Sequence, residues 1–221
     1  MRFYKIIFED ENIIIVDKPQ GLETASEVTK VTLETKIQEA FGGDKKIQAA
    51  HRLDVNTEGL VIFTKNDVAA KAMREGFEQG YVDKTYLALC LGKLRISPLT
   101  LTGWLTKDSK SGTVYISKEK SFNAKSVKTV VSFVKTMGED FSLLSVKPVT
   151  GRTHQIRAHL ATIGLYILGD GKYGNGKMNR IYGYKKQCLC AASLGFKFPT
   201  SSALSYLNKK TFKVSPSFLE K

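Results

Sequence analysis

The sequence predicts an α+β domain built around a largely antiparallel sheet. Three observations lead there. Short strand-like runs recur along the whole chain, helical periodicity is confined to two stretches, and the elements follow one another in mixed order rather than as regular βαβ units. At 221 residues the chain is long enough for one substantial core, so a single domain over 1–221 is expected.

Taken in order, residues 3–17 read as two short strands with Asp10-Glu11-Asn12 as the turn between them. Lys18-Pro19-Gln20-Gly21 then breaks the pattern. Residues 60–64, Leu-Val-Ile-Phe-Thr, form a continuous apolar strand. A helix follows, with Asn66 as N-cap, Ala and Met residues inside and Gly80 beyond its end. Residues 84–91 form another strand, and alternation recurs around 112–116, 128–135 and 142–149. A second helix begins near Thr153, with Ile156, Leu160 and Ile163 on one face and Gly164 as its stop. The last strands include 187–198 and 211–214. Between them, the Lys- and Ser-rich stretch 107–128 reads as a mobile basic hairpin insertion.

Composition excludes several classes. Hydrophobic content of 42% and charged content of 25% describe a globular chain rather than a fibre or a disordered tail. No apolar run approaches the length of a membrane span, and Asp10 and Glu11 interrupt the N-terminal apolar residues too early for a signal peptide. Cys90, Cys188 and Cys190 make an odd count, which fits reduced thiols in a cytoplasmic protein.

Charge points to a partner. Thirty-four Lys and Arg against 21 Asp and Glu leave +13, which favours a polyanion, because neutralised phosphates release counterions. Between Lys172 and Lys186 lie Lys172, Lys177, Arg180, Lys185 and Lys186 with no acidic residue, interleaved with Tyr173, Tyr182 and Tyr184. Cations for phosphates beside flat rings for bases suit a looped or single-stranded RNA. A Gly-rich loop whose tyrosines pack locally explains the same residues equally well.

Metal, nucleotide and redox chemistry find no motif. His154 and His159 are five apart, whereas a zinc pair on one helical face needs four, and Cys188 and Cys190 lack a second pair nearby. Neither a phosphate-binding Gly loop nor a dinucleotide fingerprint is present, so no cofactor and no metal are expected. What remains is polar groups set beside apolar strands. His51-Arg52-Leu53-Asp54 precedes the strand at 60–64, Lys84-Thr85-Tyr86 opens the next, and Gly151-Arg152-Thr153-His154-Gln155-Ile156-Arg157 leads into the second helix. A core Asp–Arg pair that fixes loop geometry is, from residue types alone, the commoner explanation of such positions.

As ordered motifs, however, these segments resemble the RluA-type family of RNA pseudouridine synthases. His51-Arg52-Leu53-Asp54 with Thr57, Gly59 and Leu60 looks like that family's catalytic-aspartate motif. Lys84-Thr85-Tyr86-Leu87-Ala88 is similar to its tyrosine motif. The run from Gly151 to His159, followed by Gly169-Asp170 and Tyr173-Gly174, resembles its arginine motif, and Asp17-Lys18-Pro19-Gln20-Gly21-Leu22 fits its start. The likeness extends from about residue 6 to about residue 216.

The resemblance implies the family's catalytic fold, a mixed sheet with flanking helices and a central cleft for RNA. It implies an isomerase that converts specific uridines of rRNA or tRNA without a cofactor. Asp54, Tyr86 and Arg157 match the catalytic positions. Asp54 would be the catalytic carboxylate, Arg157 would hold it ionised, and the Tyr86 hydroxyl would help remove the C5 proton. Arg52 matches the residue associated with the space a flipped uridine vacates, and Ile156 the apolar residue packed on the target base. Lys172, Lys185 and Lys186 are candidate phosphate contacts. An S4-type N-terminal module, common among relatives, has no room in 221 residues, and a monomer is the default.

Overall fold

The computed structural model describes residues 4–220, and they divide into two compact units. Unit 1 comprises the described residues up to Lys84 together with those from Cys190 onward, and unit 2 is Thr85–Leu189. The chain passes from one to the other within strand β5 (Val82–Leu91) and returns at the start of β11 (Leu189–Phe196).

Unit 1 is organised by β4 (Glu58–Thr64), in which all seven residues are buried. That burial explains the uninterrupted apolar run, since a strand covered on both faces has no solvent side to alternate with. Antiparallel to it lies β2 (Ile13–Lys18), with Ile15 opposite Ile62 and Lys18 opposite Gly59. β1 (Lys5–Glu9) is antiparallel to β2. The turn between them is tied by the Asp10 carboxylate, which accepts from the N–H of Asn12 and of Ile13 at 2.8 Å. The first strand therefore starts at Lys5; residue 3, where the sequence reading began it, lies outside the described residues.

β11 runs parallel to β4, with Cys190 opposite Glu58 and Ala191 opposite Gly59. β12 (Thr211–Lys213) is antiparallel to β11, and the short β3 (Gln48–Ala49) to β4. Helix α2 (Asp67–Glu78) has the expected caps, Asn66 accepting from Ala69 N–H at 2.8 Å and Gly80 at φ +75° beyond its end. Its Ala69 and Met73 pack with Ile13, Ile15, Leu60, Ile62 and Phe196 in one core. Helix α1 (Leu33–Ala40) has no counterpart in the sequence reading. Thr32 and Thr35 close a reciprocal capping box at its start, and its Gln38 donates to Ile47 O at 2.7 Å.

Unit 2 is an antiparallel meander in space: β5 pairs with β9 (Phe141–Pro148), β9 with β8 (Lys125–Met137), β8 with β6 (Leu99–Lys107), and β6 with β7 (Val114–Ser117). The two-residue β10 (Tyr166–Ile167) pairs with β5. β6, where Leu99 and Leu101 alternate with threonines, was not expected. Across 107–128 the chain leaves β6 through a tight tip, returns along it as β7 and loops round to enter β8. Val114 and Val127 are buried with Leu105 and Ala158 in a core of their own, and the Asp108 carboxylate accepts from Lys110 N–H and Ser111 Oγ to shape the tip.

Helix α3 (Gln155–Thr162) begins two residues later than predicted, from His154 in the left-handed region at φ 53°. Its first six residues are all buried, so no single apolar face exists, and Ile163, expected on that face, is instead the exposed C-cap at 38%. Helix α4 (Gly176–Ile181) falls in the segment read as a loop. Both α+β character and the mixed strand directions follow the expectation.

Gly59 shows how closely β4 and β11 approach. Its φ is +111°, and a Cβ there would lie 2.5 Å from Ala191 O. Gly59→Ala meets rigid backbone as well as dihedral strain, and should lower stability by more than about 2 kcal/mol. An unchanged urea midpoint for this variant would show that the two strands can part at no cost.

Candidate functional site

The predicted site residues fall in both units, and each group is held by its own polar frame. Arg52 and Asp54 belong to unit 1, on the loop that precedes β4. The Thr24 hydroxyl accepts from Leu53 N–H at 3.1 Å and donates to Leu53 O at 3.2 Å, which clamps the residue before Asp54. Asp54 O accepts from Thr57 N–H at 3.0 Å, closing the turn after it. His51 anchors the loop's other end, its Nε2 accepting from Ile62 N–H at 3.2 Å and its ring 5.1 Å from that of Phe77. Burial, helped by the nearby Lys84 ammonium, pushes the His51 pKa down to about 3, so the imidazole is a neutral structural acceptor.

Against this loop sits a buried cation whose role the sequence does not signal. Lys18 is fully buried, and its ammonium donates to Pro19 O at 3.0 Å, Leu22 O at 2.8 Å and Val55 O at 3.1 Å. Two segments distant in sequence are thus drawn onto one charge. Burial lowers the Lys18 pKa to about 8, against the pull of the Asp54 and Glu58 carboxylates. Asp54 itself is half-buried, while Arg52 is exposed and lies 3.7 Å from Glu23 Oε1.

Glu58, the first residue of β4, accepts from both Ser217 N–H and Ser217 Oγ. The neighbouring Asp17 is raised to about 6 by burial and by the Glu58 charge.

In unit 2, Tyr86 is buried on β5 opposite Val146, and Ile156 and Arg157 occupy the first turn of α3. Arg157 makes a two-point ion pair with Asp170, Nε to Oδ2 at 2.7 Å and Nη2 to Oδ1 at 2.9 Å, both side chains buried. Asp170 Oδ1 also accepts from Lys172 N–H at 2.8 Å and Tyr173 N–H at 3.0 Å. Burial opposes the charged carboxylate, but the guanidinium and these two amides outweigh it and hold its pKa below the usual value. The Tyr173 ring lies 5.1 Å from the guanidinium carbon. The spacing of Asp170 from Arg157 across a loop carries no sequence signal of a pair.

Behind α3 a second network is neutral. Gln155 Nε2 donates to Thr129 Oγ1, which is hydrogen-bonded to His159 Nδ1 at 2.8 Å, and burial lowers the His159 pKa to about 4. Among the described residues no group of three or more His, Cys, Asp or Glu side chains could hold a metal ion, and no helix is long and apolar enough to cross a membrane.

The segment 172–186 divides. Lys172, Lys177, Arg180, Lys185 and Lys186 are all exposed, although Lys172 Nζ also donates to Ser111 O at 2.9 Å. Its tyrosines pack locally. Tyr173 is engaged as above, while Tyr182 and Tyr184 stand edge-on to Phe141 and Tyr182 donates to Asp140. The cations are open to a partner, whereas the rings serve the fold first.

Residues 12–162 match the family model described as RNA pseudouridylate synthase. A Mycoplasma genitalium protein named as an uncharacterized RNA pseudouridine synthase is 34% identical over 97% of this chain and 71% of its own length. The ribosomal large subunit pseudouridine synthase C of Rickettsia bellii is 35% identical over 78% of this chain, a match spanning 58% of that relative. Human RNA pseudouridylate synthase domain containing 1 superposes with a TM-score of 0.77 at 25% identity, over 97% of this chain and 83% of the human one.

Two measurements test this geometry. Because the folded pKa of Lys18 is about 8 and its ordinary value is 10.5, the unfolded chain holds that proton more tightly. Stability should therefore rise as pH climbs from about 8 to about 10.5, relative to Lys18→Met, which cannot titrate. A pH-independent difference between the two urea midpoints would mean that Lys18 is not desolvated. Separately, Asp170→Leu should cost about 3 kcal/mol by stripping the buried guanidinium of its two-point partner. The double variant Arg157→Met/Asp170→Leu should lose less than the sum of its parts by roughly 1 to 3 kcal/mol, and simple additivity would contradict the pair.

Proposed function

This chain belongs to the RNA pseudouridine synthase family, and on that premise we propose that it isomerises selected uridines of structured RNA to pseudouridine with Asp54 as the catalytic carboxylate. The reaction breaks the N-glycosidic bond, turns the uracil and rejoins it through C5. Product and substrate are isomers, so no co-reactant enters the balance. A stacked base is out of reach, so the uridine is flipped out at a cost of a few kcal/mol.

The observation that carries this reading is the clamped loop around Asp54. A half-buried carboxylate stands on a backbone fixed from three sides, within the field of a fully buried ammonium. Preorganisation of this kind holds the carboxylate in one orientation, so no reorganisation is needed during the reaction. In the proposed division of labour Asp54 acts on the sugar–base unit, the Tyr86 ring and Ile156 hold the uracil, and the Tyr86 hydroxyl takes part in removing the C5 proton. Arg157 supplies positive charge, and the exposed Arg52 guanidinium fills the gap left in the RNA.

Binding to RNA is supported by the net charge of +13 and by exposed lysines on two neighbouring segments of unit 2. From Lys107 to Lys128 all six lysines are exposed, and with them Tyr115 at 59% and Phe122 at 92%. Lys172, Lys185 and Lys186 extend the basic surface offered to phosphates. The substrate we propose is rRNA or tRNA; the name of the Rickettsia relative favours large-subunit rRNA.

Mapping pseudouridines in RNA from cells with and without the gene identifies the target. On that RNA, Asp54→Asn should keep the fold and most of the affinity and lose pseudouridine formation entirely. Residual turnover within tenfold of the parent would remove Asp54 from the chemical step.

A further inference from the structure

The hairpin tip and the arginine of α3 share one side chain. The Tyr173 hydroxyl accepts from Val114 N–H at 2.7 Å, at the first residue of β7, and meets His154 Nδ1 at 3.0 Å, at the N-cap of α3. The ring of the same tyrosine carries the Arg157 guanidinium on its face, and its backbone N–H is bonded to the carboxylate that pairs with Arg157. One residue further back, Lys172 reaches the hairpin tip through Ser111 O and the same carboxylate through its own N–H. Val114 belongs to the small core that also contains Ala158, on the turn of α3 that bears Arg157.

The strain at this junction is local and visible. His154 is held at φ 53°, a conformation that an L side chain with Cβ adopts rarely. It makes no side-chain capping bond to the helix it precedes, and its Nδ1 meets the Tyr173 hydroxyl. Residues kept in such regions persist when surrounding contacts over-determine them. Here those contacts run to the hairpin.

We propose that Tyr173 is a positioning residue, which ties the β6–β7 hairpin to Arg157 so that RNA engaged by the hairpin lysines sets the guanidinium for turnover. This rests on the proposed isomerase reading and adds to it a route by which substrate binding at the hairpin reaches the site. In this role Tyr173 acts through its contacts with Arg157 and His154.

Tyr173→Phe keeps the ring under the guanidinium and removes only the hydroxyl. Amide exchange at Val114 should quicken, and turnover at saturating RNA should fall roughly threefold to tenfold, the worth of one or two neutral hydrogen bonds, with KM unchanged. His154→Asn, which tolerates the left-handed backbone while withdrawing the other hydroxyl partner, should lower turnover in the same direction. The two changes together should cost no more than the larger one alone, because both break the same tie. Faster exchange at Val114 with parental turnover would overturn the proposal, as would a loss confined to KM or full additivity of the two variants. A parent that forms no pseudouridine on its mapped RNA would instead overturn the isomerase reading, and the positioning role would fall with it.

Discussion

Unit 1 depends on keeping one buried ammonium satisfied. Removing a charged amine from water costs several kcal/mol, and Lys18 recovers this only while Pro19, Leu22 and Val55 all offer their carbonyls and two carboxylates lie in range. Those acceptors come from the break after β2 and from the loop before β4. Any displacement of the Asp54 loop therefore strands a cation in the interior. The geometry of a candidate active-site loop is in this way enforced by solvation rather than by secondary structure, which is why the segment can lack helix or strand and still be fixed.

Unit 2 solves the same problem with opposite signs. There a buried carboxylate, Asp170, receives two guanidinium N–H groups and two backbone amides. Its environment lets Arg157 remain charged and almost wholly buried at the start of a helix, a place where the dipole disfavours a cation. Gly169 makes this possible: at φ +71° its α-carbon passes so near the Lys186 carbonyl that a Cβ would lie 1.9 Å from the oxygen. The loop that presents Asp170 is accordingly closed to any side chain at that point.

Much of this was readable in the residues, and the exceptions have physical causes. β2, β4, β5, β9 and β11 announce themselves through runs or alternation of apolar residues, and α2 through Asn66 and Gly80. α1 escaped because its capping box uses Thr35 where a carboxylate or amide is the usual signal. α4 buries no residue, so it has no periodic face to detect, and α3 is buried all round, so its apparent stripe ending at Ile163 misled. The site motifs could be read as ordered words, whereas the buried groups that frame them could not. Lys18 looks in sequence like one more surface lysine beside a proline, and nothing in the spacing of Arg157 and Asp170 tells that they meet.

The parallel pairing of β4 with β11 carries a consequence for biosynthesis. As the ribosome delivers the chain, β1, β2 and β4 emerge early and can form their antiparallel ladders at once. The strand that covers the other edge of β4 at Glu58 and Gly59 lies beyond the whole of Thr85–Leu189. Unit 2 is continuous and has its own core, so it is free to form while the apolar edge of its predecessor waits uncovered. An open edge next to four consecutive buried apolar residues is the kind of surface on which nascent chains associate wrongly. Emergence of β11 is the event that closes it, so the nascent chain carries this edge unpaired throughout the synthesis of Thr85–Leu189.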